Sequence, residues 1–325
     1  MHKHPSILRR ALLAAGAALA VSGALAQAYP DTPIRLVVGY SAGGAVDIIA
    51  RTVGQSLATS MGQPIVVENR PGAGTNIAVK SVISAPPDGY TLMLAANALA
   101  ANMALYQPAP FDAERDLALI GQVGRVPVVI AANPSVPYND IAQLIAAARA
   151  QPRGIAFASP GNGATPHMAV ELFAKAAGIA LQHVPYRGGA QAITDTIGGQ
   201  VPLVAVNALE ALPHVKSGKL KVLAALSAAR TGIFPDVPTI AESGLPGFDA
   251  SSWFAIFAPA KTPPEIVAKL NAEVLKALAD PELQKRFADI GGEIRPYKPD
   301  ELGAFVKAEI EKWAKVVKAA NMKAD

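Results

Sequence analysis

From Ile34 onward, short apolar runs alternate with segments in which apolar positions recur every three or four residues. Ile34 to Val38 reads as a strand and Val46 to Leu57 as a helix. Pro64 to Val67 is again a strand, followed by the loop Pro71-Gly-Ala-Gly74 and a helix from Thr75 to Ser84. Pro86-Pro-Asp-Gly89 marks a turn before a strand from Tyr90 to Leu94. Alternation of these two periods predicts βαβ units in which a parallel sheet is covered by helices.

Leu117 to Ala131 is apolar for too long to be one ordinary strand and is interrupted by Gly121, Gly124 and Pro127. It reads as a crossing from one lobe to another. A second alternation then predicts helices over 141–150, 166–177, 190–197 and 209–217. Its strands fall over 155–158, 181–184, 203–206 and 221–226. The stretch from Ser251 to Pro259 reads as a return to the first lobe. Thr262-Pro-Pro-Glu265 has the form of a capping box with Pro at the first helical position. The last helix, 299–319, places Leu302, Val306, Ile310, Trp313 and Val317 on one face and predicts a docked C-terminal helix. Two α/β lobes follow, 29–123 with 254–325 and 124–253, joined by two hinge crossings, each a mainly parallel sheet flanked by helices.

In such sheets ligands sit beyond the carboxyl ends of the strands, where helices begin. The loop Gly39-Tyr40-Ser41-Ala42-Gly43-Gly44 opens the first helix, with Asp47 one turn inside. The loop Ser159-Pro160-Gly161-Asn162-Gly163-Ala164-Thr165 has the same form in the second lobe, with His167 one turn inside. Glycines admit close backbone approach, and a helix start carries partial positive charge, so each loop predicts an anion site. Asp47 is expected to fix loop geometry or bind polar groups and water.

Composition narrows the partners. The first 28 residues hold Lys3, Arg9 and Arg10, an apolar run from Ala11 to Leu25, and small-x-small exits at Ala26 and Ala28. That order predicts a secretory signal cleaved near Ala26 or Ala28 and a periplasmic mature protein. Lys and Arg number 29 against 25 Asp and Glu, and three of the bases lie in this leader. The remainder is near neutral and gives no electrostatic reason to expect nucleic acid. With no cysteine there is no disulfide, thiolate site or lipidated anchor.

Catalytic readings are weaker. Gly39-Tyr-Ser41-Ala-Gly43 matches the nucleophile elbow of an α/β-hydrolase, which makes an esterase the rival class. The match follows the first strand, so nothing upstream builds an oxyanion hole, and no histidine loop reads as its base. Arg70-Pro-Gly72-Ala-Gly74 completes neither nucleotide-binding fingerprint. No His/Asp/Glu cluster has metal spacing, and no metal, cofactor or catalytic residue is expected. Arg187 in Tyr186-Arg-Gly-Gly189 lies near a helix start and is a candidate for the cleft.

Several ordered segments together resemble a known family. They are Tyr29-Pro30, Gly43-Gly44 with Asp47, Val66-Val-Glu-Asn-Arg-Pro-Gly-Ala-Gly74, Asp88-Gly-Tyr-Thr-Leu92, Gly161-Asn-Gly163 with His167, Val184-Pro-Tyr-Arg-Gly188, Leu212-Pro-His214 and Val237-Pro-Thr-Ile240. From Tyr29 to Asp325 the chain resembles the Bug-type substrate-binding proteins of tripartite tricarboxylate transporters. The resemblance implies a two-lobed, type II Venus-flytrap receptor, monomeric, that hands a small carboxylate to a membrane permease. Di- and tricarboxylates, acidic amino acids and aromatic acids are all candidates. It further implies that loops 40–47 and 159–167 hold the carboxylate, partly through water. The expected ligand-binding set is Tyr40, Ser41, Ala42, Gly43, Gly44, Asp47, Asn97, Ser159, Gly161, Asn162, Gly163, Ala164, Thr165, His167 and Asn207. The chain departs from the family pattern at Ala164-Thr165 and at Val206-Asn207, positions that bear on the far end of the ligand.

Overall fold

The computed structural model describes residues 29–324 apart from 152, 153 and 298; the leader read at 1–28 lies outside the described residues. In chain order the first unit runs β1 (Ile34–Val38), α1 (Ala45–Met61), β2 (Ile65–Asn69), a short 3-10 turn (Ala73–Thr75), α2 (Asn76–Ile83), β3 (Thr91–Ala96), α3 (Ala98–Leu105), α4 (Ala113–Asp116) and β4 (Leu117–Val126). The second runs β5 (Val128–Ala132), α5 (Ile141–Arg149), β6 (Ile155–Ser159), α6 (Thr165–Ala177), β7 (Leu181–Pro185), α7 (Gly189–Ile197), β8 (Leu203–Asn207), α8 (Ala208–Lys216) and β9 (Lys221–Ala225). The chain closes with β10 (Ser252–Pro259), α9 (Pro264–Leu278), α10 (Pro281–Asp289), β11 (Glu293–Ile294) and α11 (Pro299–Ala319).

These strands form two sheets, ordered β11-β4-β10-β3-β1-β2 and β7-β6-β8-β5-β9. The lobes are two, as the alternation predicts, but the sheets are mixed rather than mainly parallel. Only β1 with β2 and β3, and β6 with β7 and β8, pair parallel; β10 runs antiparallel to β3 and β4, and β5 to β8 and β9. The reason is the crossings. A strand that enters a sheet from the other lobe arrives from the opposite end, and periodicity cannot report that direction.

The long apolar run is two strands in two sheets, with Pro127 between them. Proline lacks an N–H and fixes φ, so the ladder of β4 ends there. β4 and β10 pair along their lengths from Leu117↔Pro259 to Val126↔Ser252, slightly past the expected lobe boundaries. Gly124 is required at its place: a Cβ there would lie 2.4 Å from the Glu293 carbonyl oxygen of the neighbouring β11.

Two local expectations fail. Thr262 does not cap α9; Pro263 is the N-cap and the Thr262 hydroxyl donates to Pro259 O at 2.8 Å. The chain also contains α3, which periodicity does not show. All but two of its residues are buried, so it has no polar stripe to set a period.

Candidate ligand-binding cleft

The first loop is held from inside its own lobe. Asp47, 3% exposed, accepts from Gly43 N at 3.0 Å, Arg51 Nε at 3.0 Å and Asn69 Nδ2 at 3.0 Å. The same Asn69 amide donates to Tyr40 O at 3.0 Å. Burial alone would raise the Asp47 pKa, but the Arg51, Gly43 and Asn69 donors outweigh it and hold the carboxyl below its ordinary range. Gly43 takes φ of +80°, which suits glycine. Its N–H is therefore spent on Asp47, and Asp47 is a brace for the loop.

The second loop is braced by a pair of histidines. Gly163 N donates to His167 Nδ1 at 3.2 Å, and Ser159 Oγ lies 2.6 Å from His183 Nε2. The two imidazoles stack with centroids 3.6 Å apart. Burial, and for His167 also its partner ring, lowers their pKa values to about 2 for His167 and about 4 for His183. Both rings are thus neutral at pH 7.

That neutrality predicts an acid-labile protein. In the unfolded chain both histidines titrate near 6.5. Between that value and the lower native ones the unfolded state binds more protons, so stability is full above pH 6.5 and falls as pH drops toward 4. At pH 5, His183 alone costs about 2 kcal/mol relative to neutral pH. Urea unfolding at pH 7.5 and pH 5 should show this loss, and His183→Asn should shrink it. A pH difference unchanged in the variant would exclude the pair as its source.

Between the lobes the two helix starts converge. Gly44, Ala45 and Val46 at the head of α1 and Ala164, Thr165 and Pro166 at the head of α6 line one small space of about 20 Å³, with Tyr40, Asn207, Ser252 and Phe254. Outside it opens a cleft of about 740 Å³ lined by Tyr40, Gly72 to Thr75, Gly161, Asn162, Tyr186, Arg187 and Gln191. The lobes touch at the rim, where Ser41 N and Oγ both donate to Arg187 O at 3.3 and 3.1 Å.

Of the expected residues, Tyr40, Gly44, Ala164, Thr165 and Asn207 line the small space, while Gly161 and Asn162, with Tyr40 again, line the outer cleft. Ser41 lies at the rim, and Ala42, Gly43, Asp47, Ser159, Gly163 and His167 shape the loops without lining either space. Asn97 goes elsewhere. It is fully buried, accepts from Trp253 N at 2.9 Å and donates to Ser251 O at 3.3 Å, so it fastens the return crossing.

Sequence reasoning missed Glu210. Its carboxylate lines the small space from α8 and accepts from Asn207 N at 3.1 Å and Nδ2 at 3.2 Å. Burial raises its pKa, opposed by the donors of Asn207 and by the backbone N–H of Ala45 in the other lobe. Asn207-Ala-Leu-Glu210 is legible as an N-cap with Glu at the third helical position, but nothing local says that the acid also faces α1.

Ser41 has its hydroxyl turned to Arg187 O, and His183 serves Ser159 instead. Among the described residues no group of three or more His, Cys, Asp or Glu is placed to hold a metal ion.

Relatives agree with this two-lobed cleft. BugT of Bordetella pertussis is 38% identical over 311 residues, covering 95% of this chain and 94% of BugT. The structure of R. palustris Rpa4515 with adipate superposes with a TM-score of 0.87 at 34% identity, covering 91% of this chain and 99% of that one. MatC (Rpa3494) from Rhodopseudomonas palustris with bound malate gives 0.84 at 31% identity, over 89% and 100% of the two chains. The family model for the tripartite tricarboxylate transporter family receptor matches residues 49–322. Its members are substrate-binding receptors, which removes the esterase reading of Ser41. With the match spanning both lobes, the chain belongs to the receptors of the tripartite tricarboxylate transporter family.

Proposed function

We propose that this receptor captures a small carboxylate between its lobes in the periplasm and delivers it, as a monomer, to a membrane permease of the tripartite type. One observation carries the reading: the starts of α1 and α6, one from each lobe, face the same small space, and among the described residues no Lys or Arg lines it. Partial charges of two helix starts and the N–H groups around them are suited to an anion without a salt-bridge clamp. Relatives of the same fold hold adipate and malate. The 20 Å³ between the helix starts admits about one water. Ligand therefore enters through the 740 Å³ cleft as the lobes separate about the crossings near Pro127 and Ser251.

A thermal-shift screen against di- and tricarboxylates, acidic amino acids and aromatic acids tests this. An acid at a hundred times its dissociation constant adds about 2.7 kcal/mol to stability. At least one should raise the midpoint by several degrees; a flat response across all of these classes would defeat the carboxylate reading. Intact mass of the secreted protein should further show a start just after Ala26 or Ala28, and a form retaining Met1 to Arg10 would overturn the export claim.

A further inference from the structure

The small space between the helix starts already contains a carboxylate, that of Glu210. A Cβ built on Gly44 would lie 3.5 Å from Glu210 Oε1, and one built on Gly189 would lie 1.9 Å from it. The acid therefore reaches from α8 of the second lobe toward Gly44, the residue before α1 in the other, passing the start of α7. It is 6% exposed, and among the described residues no cationic side chain lines the space with it. Its hydrogen-bond donors are Asn207 N and Nδ2 of its own lobe.

A second observation marks the same spot as a ligand site. Asn207, 5% exposed, lines the space, and its Oδ1, set toward the Glu210 N–H in the capping box, completes no hydrogen bond with it. A buried acceptor left unpaired costs free energy until a donor reaches it. The water or ligand group that enters here has that acceptor to satisfy.

We propose that Glu210 is a resident carboxylate that fills the anion position at the head of α1 and is displaced from it by the incoming ligand, so that Glu210 sets the affinity of the receptor and holds the lobes together before capture. The proposal rests on the carboxylate-receptor reading. Two ionised carboxylates in a space this small at one helix start repel strongly, because their charges are weakly screened there. The entering acid must therefore compete with a group tethered at the site. An intramolecular competitor lowers the apparent affinity by the fraction of molecules in which it is seated. The same contact spans both lobes, so its loss also weakens their association when no ligand is present.

The test uses two readouts on the full mature protein. Spin labels on Lys80→Cys and Thr194→Cys, both exposed positions on opposite lobes of a chain without native cysteine, report the distance between lobes. Without added ligand, Glu210→Ala should show a longer distance population than the parent. Calorimetric titration with adipate and with malate should give at least tenfold tighter binding of one of them by Glu210→Ala. Glu210→Gln keeps an acceptor but loses the charge, should fall between the two, and serves if the alanine variant fails to fold. Unchanged distances and affinities, or weaker binding by both variants, would overturn the proposal; weaker binding would mean that Glu210 contacts a donor on the ligand. If no form of the protein binds adipate, malate or any acid of the screen, the carboxylate reading fails, and the distance measurement still decides whether Glu210 holds the lobes.

Discussion

Glu309→Ala is expected to destabilise the protein by about 3–5 kcal/mol, the largest effect of any single change considered. Glu309 lies on α11, 8% exposed, and its Oε2 accepts from Trp253 Nε1 at 2.8 Å and Trp313 Nε1 at 2.7 Å, with Asn97 Nδ2 at 3.4 Å. Trp253 and Trp313 are among the largest fully buried side chains. Removing the carboxylate strands two indole N–H groups in the core and leaves a cavity beside them. Glu309→Gln keeps one oxygen for both indoles and should cost about 1–2 kcal/mol. Urea unfolding of the two variants checks this. An alanine variant within 1 kcal/mol of the parent would show that water replaces the carboxylate and that the network is not what secures the return crossing.

Gly163→Val should reduce ligand binding more than a hundredfold while the protein stays folded. At φ +70° a β-branched residue is strained, and a Cβ there would lie 2.9 Å from Asn102 Oδ1 and Leu105 Cδ2 of the first lobe. The loop must shift, carrying the start of α6 away from the site and breaking the bond from Gly163 N to His167 Nδ1. Because the N–H of Gly163 serves His167, the damage comes through loop position and not through a lost direct donor. Arg187→Ala should change affinity less than fivefold, since the interlobe contact of Arg187 is made by its carbonyl, which alanine retains. Calorimetry on the two variants, with an acid found by the screen, separates the cases. Loss of binding in Arg187→Ala alone would mean a guanidinium clamp at the cleft mouth.

The loops around Gly43 and Gly163 were legible because a strand, a glycine-bearing turn and a helix start are all local features. What each loop does with its donors was not. Gly43 and Gly163 were expected to present N–H groups to a ligand, yet each spends its own on a side chain four residues later, Asp47 or His167. Asp47 could be read as a brace only as one of two options, because Asn69, which completes it, is twenty-two residues away on β2. Asn97 illustrates the opposite error. It ends a strand as ligand residues do, but its partners are Ser251 and Trp253, which only the return crossing brings near.

By itself the sequence determined the two-lobed α/β plan, the segments where the chain changes lobes, and the two glycine-bearing helix starts that face each other across the lobes. Those properties follow from periodicity, proline and glycine, all of which act over a few residues. Only the tertiary structure decided the direction of β5 and β10, the packing of α3, and the presence of Glu210 between the lobes. Strand direction depends on where the chain re-enters, and α3 is buried on too many sides to carry a period. The acid of α8 comes close to Gly44 at the head of α1 because the lobes touch, an approach between residues 44 and 210 that no local pattern encodes.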